Sequence, residues 1–349
     1  MDLSKTFDIV LKPIITIIIA LLIGVLLILP TGTSPVEAYS VLFRGAFGNV
    51  NNFYETLARG TPFLFTGLAA AFAFRGGVFN IGAEGQMYLG AMAAALVGVY
   101  GAGLPKFILL PLAVLAAGLA GGAWAYLPGY MKAKLNVNIV ISTIMMNNLA
   151  VLFTSYLATY PFKGELPIGA TRQVAPAARF LQFSSGSSLN TGFLLGLAAA
   201  FVLYFLLFKL SFGYEVRGMG INPDFSEYMG ANVQIKTIQV LFISGLIAGL
   251  GGAEQVLGVS LRFISNFSPG YAFTGITVAL LGRLHPLGVV IGSVFFGALT
   301  AGALKMEAFT NVSRDLLTSL QAVIILLLAA EQLLELLVVR FRRKRGEIK

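Results

Sequence analysis

The sequence contains no cysteine, one histidine and one tryptophan, and only 11% of its 349 residues are charged. Without cysteine there can be no disulfide and no thiolate metal site, and a lone histidine leaves little for a metal centre or a proton relay. An average soluble domain carries roughly 25% charged residues, so an ordinary soluble protein is excluded. Phosphate-binding signatures are missing too: Gly-Lys never occurs, so there is no GxxxxGK[ST] loop. No nucleophile constellation or cofactor loop stands out. The chain reads as a protein that is not an enzyme, needs no cofactor or metal, and has no ATPase of its own.

What is abundant is apolar surface, at 57% of residues. Ten charge-free stretches reach fifteen residues or more: 13–36, 60–74, 85–105, 107–131, 135–162, 180–208, 237–253, 263–282, 284–304 and 316–330. A helix needs about 20 such residues, range about 17 to 25, to cross the hydrocarbon core. The pattern predicts an all-α polytopic membrane protein of about ten transmembrane helices, two of them short enough to need a snorkelling charge at one end. Runs such as IITIIIALLIGVLLIL do not alternate, which excludes barrel strands. The first stretch exceeds the usual 7 to 15 residues of a signal peptide core and is read as a retained span.

The net charge of +9 reads as topology rather than nucleic-acid binding, because six basic residues crowd into the final RFRRKRGEIK. The positive-inside rule puts this tail in the cytoplasm, and an even span count then puts both termini there. The whole chain, 1–349, is expected to form one transmembrane domain. Within it lie an N-terminal span (1–36), a core (57–339), an outer loop (160–189), an inner loop (210–236) and the basic tail (340–349). The outer loop, rich in proline, glycine and serine, suits either a docking surface or a linker.

The inner loop holds a predicted short helix. Asn222 is a good N-cap, Pro223 suits the first helical position, and Gly230 can take the left-handed conformation that ends a helix. Phe225, Tyr228 and Met229 form an apolar stripe on it, which suits either a groove in a partner or the protein's own helices and the lipid surface. Elsewhere GxxxG pairs (Gly118 and Gly122, Gly245 and Gly249, Gly288 and Gly292) predict close helix packing.

Carboxylates within spans are functional candidates by default. Glu331 and Glu335 lie near Arg340 and read as anchors, whereas Glu84 and Glu254 each follow glycines in spans that are broken or short. Discontinuous helices paired between two halves build transporter sites, so a two-half, pseudo-symmetric body is expected. Around Glu84 the stretch FNIGAEGQ gathers Phe79, Asn80 and Gln86, and Asn147 and Asn148 add further amides in a span. These residues either face a solute path or hold helices together through hydrogen bonds.

Three stretches, GGVFNIGAEGQMYLGA, FGYEVRGMGINPDFSEYMGANV and SPGYAFTGITVALLGRLHPLGVVIG, resemble the signatures of permease subunits in bacterial ABC importers of the sugar and branched-chain amino acid type, nucleoside branch. The resemblance implies a multi-pass protein of the bacterial plasma membrane that forms a nucleoside path with a second, different permease. A cytoplasmic ATP-binding subunit would drive it and an extracellular substrate-binding lipoprotein would supply it, with membrane lipid around it and no nucleic acid. Phe79, Asn80, Glu84 and Gln86, with Asn147, Asn148 and Glu254, would line the path. Asn222, Pro223, Phe225, Tyr228, Met229 and Gly230 would belong to the helix that couples to the ATPase, although Phe225, Ser226, Glu227 and Met229 depart from the family's usual residues. A permease for a simple sugar or other small polar solute, and a secondary transporter working without ATPase partners, are the alternatives.

Overall fold

The computed structural model describes residues 18–327, apart from residues 185, 314, 317 and 325. The basic tail and Glu331 and Glu335 lie outside the described residues. Twelve α-helices carry residues 18–309: α1 (Ile18–Thr31, its last turn 3-10), α2 (Pro35–Phe47), α3 (Val50–Arg75), α4 (Ala83–Tyr100), α5 (Lys106–Leu135), α6 (Ile139–Thr159), α7 (Gly192–Lys209), α8 (Ser211–Ile221), α9 (Pro223–Tyr228), α10 (Val233–Glu254), α11 (Tyr271–Leu281) and α12 (Pro286–Phe309). Among the described residues there is no β-strand, only two isolated bridges, Ala170 with Ile264 and Gln182 with Asn190.

Six helices, α3, α5, α6, α7, α10 and α12, are long and apolar enough to cross a membrane, and the α1–α2 pair, bent by 115°, makes seven if it counts as one span. Two of the predicted spans behave differently. α4 has 18 residues with Glu84 and Gln86 in its first turn, and α11 has 11 residues, about 17 Å of helix against a core of about 30 Å. The count of ten is therefore not reached by full-length helices among the described residues.

The chain divides into two compact units, residues 1–48 with 299–349 and residues 49–298. In the first, Ile28, Ala38, Met306 and Val312 form a small core, and Tyr39 donates to the Leu21 carbonyl at 2.6 Å. In the second, α10 is the central helix, packed against α5, α4 and α3, with α11 against α3. Close approach is made by small residues: Gly249 and Gly245 of α10 lie against Ala117, Gly121 and Ala125 of α5, and Gly90 of α4 lies against Gly249. On α5 this seam runs through Gly121, one helical position away from the predicted pair. Gly118 and Gly122 instead meet the side chains of Leu246, Leu250 and Phe242.

Local signals explain the helix ends. Asn136 closes α5 in the left-handed conformation (φ 50°), which asparagine tolerates. Asn138 then caps α6, accepting from the amides of Val140 and Ile141. The outer loop is a packed cap over the end of α10 rather than a free tether. Thr171 donates to Phe263, Val174 to Leu261, and Phe180 to Leu257, all through the backbone at 2.9–3.0 Å. There α10 continues as a π-helical turn, Gln255–Ser260, ended by Leu261 at φ 55°.

Candidate functional site

α3 stops at Gly76 and Gly77. Gly77 has φ +70°, and a Cβ on it would lie 3.1 Å from the Gly220 Cα, so both the turn and the contact with α8 require glycine. Residues 78–82 then run without regular structure before α4 begins. Non-helical backbone at membrane depth is stable only where protein satisfies its polar groups, and FNIGAEGQ supplies the means. Asn80, fully buried, donates to Ser244 at 2.8 Å and to the Gln86 side chain at 3.0 Å. Its carbonyl oxygen accepts from the Gly82 amide at 2.9 Å and from Gln86 at 3.1 Å. Ser244 is the twelfth of 22 residues in α10, so Asn80 and the start of α4 sit beside the middle of that helix. Ser244 in turn donates to the Ala69 carbonyl of α3 at 2.8 Å.

From α6, Asn147 clamps the same turn: its oxygen accepts from the Gly85 amide and its nitrogen donates to the Ile81 carbonyl, both at 2.8 Å. Replacing it with leucine orphans a donor and an acceptor, at about 1–3 kcal/mol each. Asn147→Leu is expected to lower the unfolding midpoint of the purified protein. Asn148→Leu, at the exposed neighbouring position, should leave it unchanged. Equal midpoints for the two variants would contradict the clamp.

Glu84 joins two helix starts. It is the second residue of α4, and its carboxyl accepts from the backbone amide of Ala272, the second residue of α11, at 2.8 Å. The N-terminal ends of the two shorter helices therefore meet at one carboxyl, where both partial positive charges favour it. Thr66 of α3 supports the junction by donating between the Pro62 and Tyr271 carbonyls. Tyr88 accepts from the Ser268 amide at 3.2 Å and packs on Phe267, ring centroids 4.5 Å apart.

Glu254, at the end of α10, has hydrogen-bond partners of its own. It accepts from Asn190 at 2.9 Å and Gln255 at 2.7 Å, while the Asn190 oxygen accepts from the Gly192 amide at the start of α7. The predicted polar set is thus divided in its hydrogen bonds: Asn80, Gln86, Asn147 and Glu84 converge on the start of α4 and its junction with α11, while Glu254 has separate partners, although both carboxylates lie near Tyr271 at the start of α11. Phe79 is 55% exposed and packs on Phe74. Ser244, Asn190, Thr66 and Tyr88 complete the networks without having been singled out in the sequence. A lone Asn before an apolar run was the available signal for Asn190.

At the other end of α11, Arg283 and Leu284 both adopt positive φ, and the Arg75 guanidinium donates to their carbonyls at 3.4 and 3.2 Å. His285 Nδ1 accepts from the Leu287 amide at the start of α12. Burial, and then the charge of Arg75, lower the His285 pKa from its ordinary value.

The short helix of the inner loop is α9. Asn222 accepts from the Phe225 amide at 3.0 Å, and Gly230 follows at φ +90°. Ser226 is buried towards Gly218 of α8. Phe225, Tyr228 and Met229 are 61%, 90% and 71% exposed, joined by Ile221 at 87%. Among the described residues, no helix of the protein covers the stripe. The preceding helix α8 lies in what the sequence suggested was loop.

Residues 52–329 match the family model described as "Branched-chain amino acid transport system / permease component". The chain is 37% identical to the guanosine ABC transporter permease protein NupP of Bacillus subtilis, over 97% of this chain and 99% of that one. It is 33% identical to the glucose ABC transporter permease protein TsgB13 of Haloferax volcanii, over 92% of this chain and 87% of that one. A solved structure described as an inward-facing conformation of a metal-chelate type ABC transporter shares the fold, with a TM-score of 0.50 and 16% identity over 95% of this chain and all of that one. This multi-pass membrane protein belongs to the family of permease components of the branched-chain amino acid transport system type.

Proposed function

We propose that the chain is the permease subunit of an ATP-driven ABC importer and that its solute is a nucleoside. The observation that carries the solute class is the 37% identity, over nearly the whole of both chains, to a guanosine permease. In this reading a second permease completes the path, a cytoplasmic ATP-binding subunit docks on α9, and a substrate-binding lipoprotein delivers solute at the outer loop. The assembly sits in a bacterial plasma membrane with both termini of the chain cytoplasmic. α4 and α11, counted as spans completed by the non-helical segments before them, bring the count towards ten and give the body its two-half character.

The saturated hydrogen bonding of Asn80, Gln86, Asn147, Glu84 and Glu254 supports a positioning role: they hold the ends of α4, α10 and α11, helices whose motion would open and close the path. Phe79, exposed beside them, offers an aromatic face to a base, and Asn148 offers a free amide on α6. The glucose permease relative favours a sugar as the second reading.

The test is uptake of labelled guanosine, uridine and adenosine in cells with and without the gene, with unlabelled nucleosides, free bases, ribose and glucose as competitors. Loss of nucleoside uptake on deletion, restored by the gene and competed only by nucleosides, is expected. Unchanged nucleoside uptake in a strain lacking other nucleoside systems, with loss of glucose or ribose uptake instead, would move the solute to a sugar.

A further inference from the structure

α5, α7, α8 and α10 enclose an apolar groove of about 530 Å³ whose walls include Tyr126, Leu206, Phe212, Ile238, Phe242 and Ile243. Gln239 supplies an amide to the lining and Tyr126 a phenol. The groove lies near one end of the spans. Leu206 is in the last turn of α7, Phe212 opens α8, and Ile238 to Ile243 occupy the second and third turns of α10.

At that end the charge is one-sided. Lys209 is exposed at the end of α7, next to Leu210 of the lining. Lys236 stands 4.4 Å above the Phe212 ring and 2.8 Å from Glu215. Lys134, exposed at the end of α5, donates to Gln234 at the start of α10. Three lysines thus stand at the ends of α5 and α7 and the start of α10, at the same end as the apolar cleft, and one of them, Lys236, is paired with Glu215.

We infer that this groove is a binding site for an anionic phospholipid, with an acyl chain against Leu206, Phe242 and Ile243 and the headgroup phosphate among the lysines. A fully apolar occupant would leave the lysine rim without a purpose, and a free anion would leave the groove without one. An amphiphile with a charged end matches both. Basic pockets between transmembrane helices hold anionic headgroups in this way, and lysine stems extend along apolar surface while the ammonium reaches the interface.

The full chain, purified in mild detergent, is titrated with phosphatidylglycerol or with phosphatidylcholine of the same acyl chains and bound lipids are counted by native mass spectrometry. One retained phosphatidylglycerol per chain is expected, in clear preference to phosphatidylcholine. Lys209→Gln and Lys134→Gln, which leave the Lys236–Glu215 pair intact, should each reduce that preference by about fivefold. Ile243→Trp, which fills the groove, should abolish retention.

Because Ile243→Trp could disturb folding, a second readout uses the absence of native cysteine. A fluorophore attached at Leu206→Cys should be quenched by phosphatidylglycerol with brominated acyl chains at well below the concentration of brominated phosphatidylcholine that gives equal quenching. Equal retention of the two lipids, equal quenching, or a cross-link from the same position to a second permease in the assembled transporter would each overturn the inference.

Discussion

Gly249→Val is expected to prevent accumulation of folded protein. Gly249 stands where α4, α5 and α10 meet, and a Cβ placed there would collide with the Ala117 carbonyl oxygen and lie 3.2 Å from the Gly121 Cα. The obstruction is reciprocal, since a Cβ on Gly121 would lie 2.9 Å from the Gly249 Cα, and from α4 a Cβ on Gly90 would lie 2.5 Å from that same atom. These partners are backbone, which cannot step aside through a rotamer change. Separating the helices would give up the close packing that drives association in lipid. Overpacking in a well-filled core typically costs about 1–3 kcal/mol, and valine here meets the backbone of α5 at both Ala117 and Gly121.

Gly118→Val is the control. Its Cβ would face the Leu246 and Leu250 side chains at 3.3–3.4 Å, which can yield. Size-exclusion chromatography of detergent-solubilised protein should show a monodisperse peak for Gly118→Val and loss of the peak for Gly249→Val. An undiminished Gly249→Val peak would mean that the small-residue seam does not hold these helices together.

The same seam shows where reading the sequence succeeds and where it stops. Charge spacing located most of the long helices because a charge in lipid is costly wherever it lies, so the cost is recorded residue by residue. It could not separate α11 from a full span: residues 261–270 are nearly as charge-poor as a helix, yet their backbone is satisfied by the outer loop and by Tyr88. Helix α9 was legible because Asn222, Pro223 and Gly230 act locally, whereas α8, with three glycines in eleven residues, carries no such signal. The FNIGAEGQ stretch announced buried polar chemistry but not its partners, because Ser244 lies 164 residues from Asn80 and Ala272 lies 188 from Glu84. Spacing of glycines likewise suggested Gly118 and Gly122, and only the rotation of α5 against α10 puts Gly121 at the contact.

Replacing Tyr228 and Met229 together by aspartate is expected to abolish co-purification of the ATP-binding subunit, and with it uptake, while the amount of chain in the membrane stays unchanged. The expectation rests on the proposed docking role of α9. The helix itself should survive, because its supports are elsewhere: the Asn222 cap, the Ser226 hydroxyl donating to the Asn222 carbonyl at 3.0 Å, and Gly230. Tyr228 and Met229 are 90% and 71% exposed, so no internal packing is removed. Any loss therefore belongs to a partner. A buried aromatic anchor at an interface commonly contributes about 2 kcal/mol or more, a factor of about 30 in affinity, and a desolvated aspartate in its place adds a further penalty. Ile221→Asp, at an equally exposed position one turn before Phe225, tests how far the docking surface extends. Retained co-purification in the double variant, with membrane levels unchanged, would show that this stripe is not where the ATPase binds.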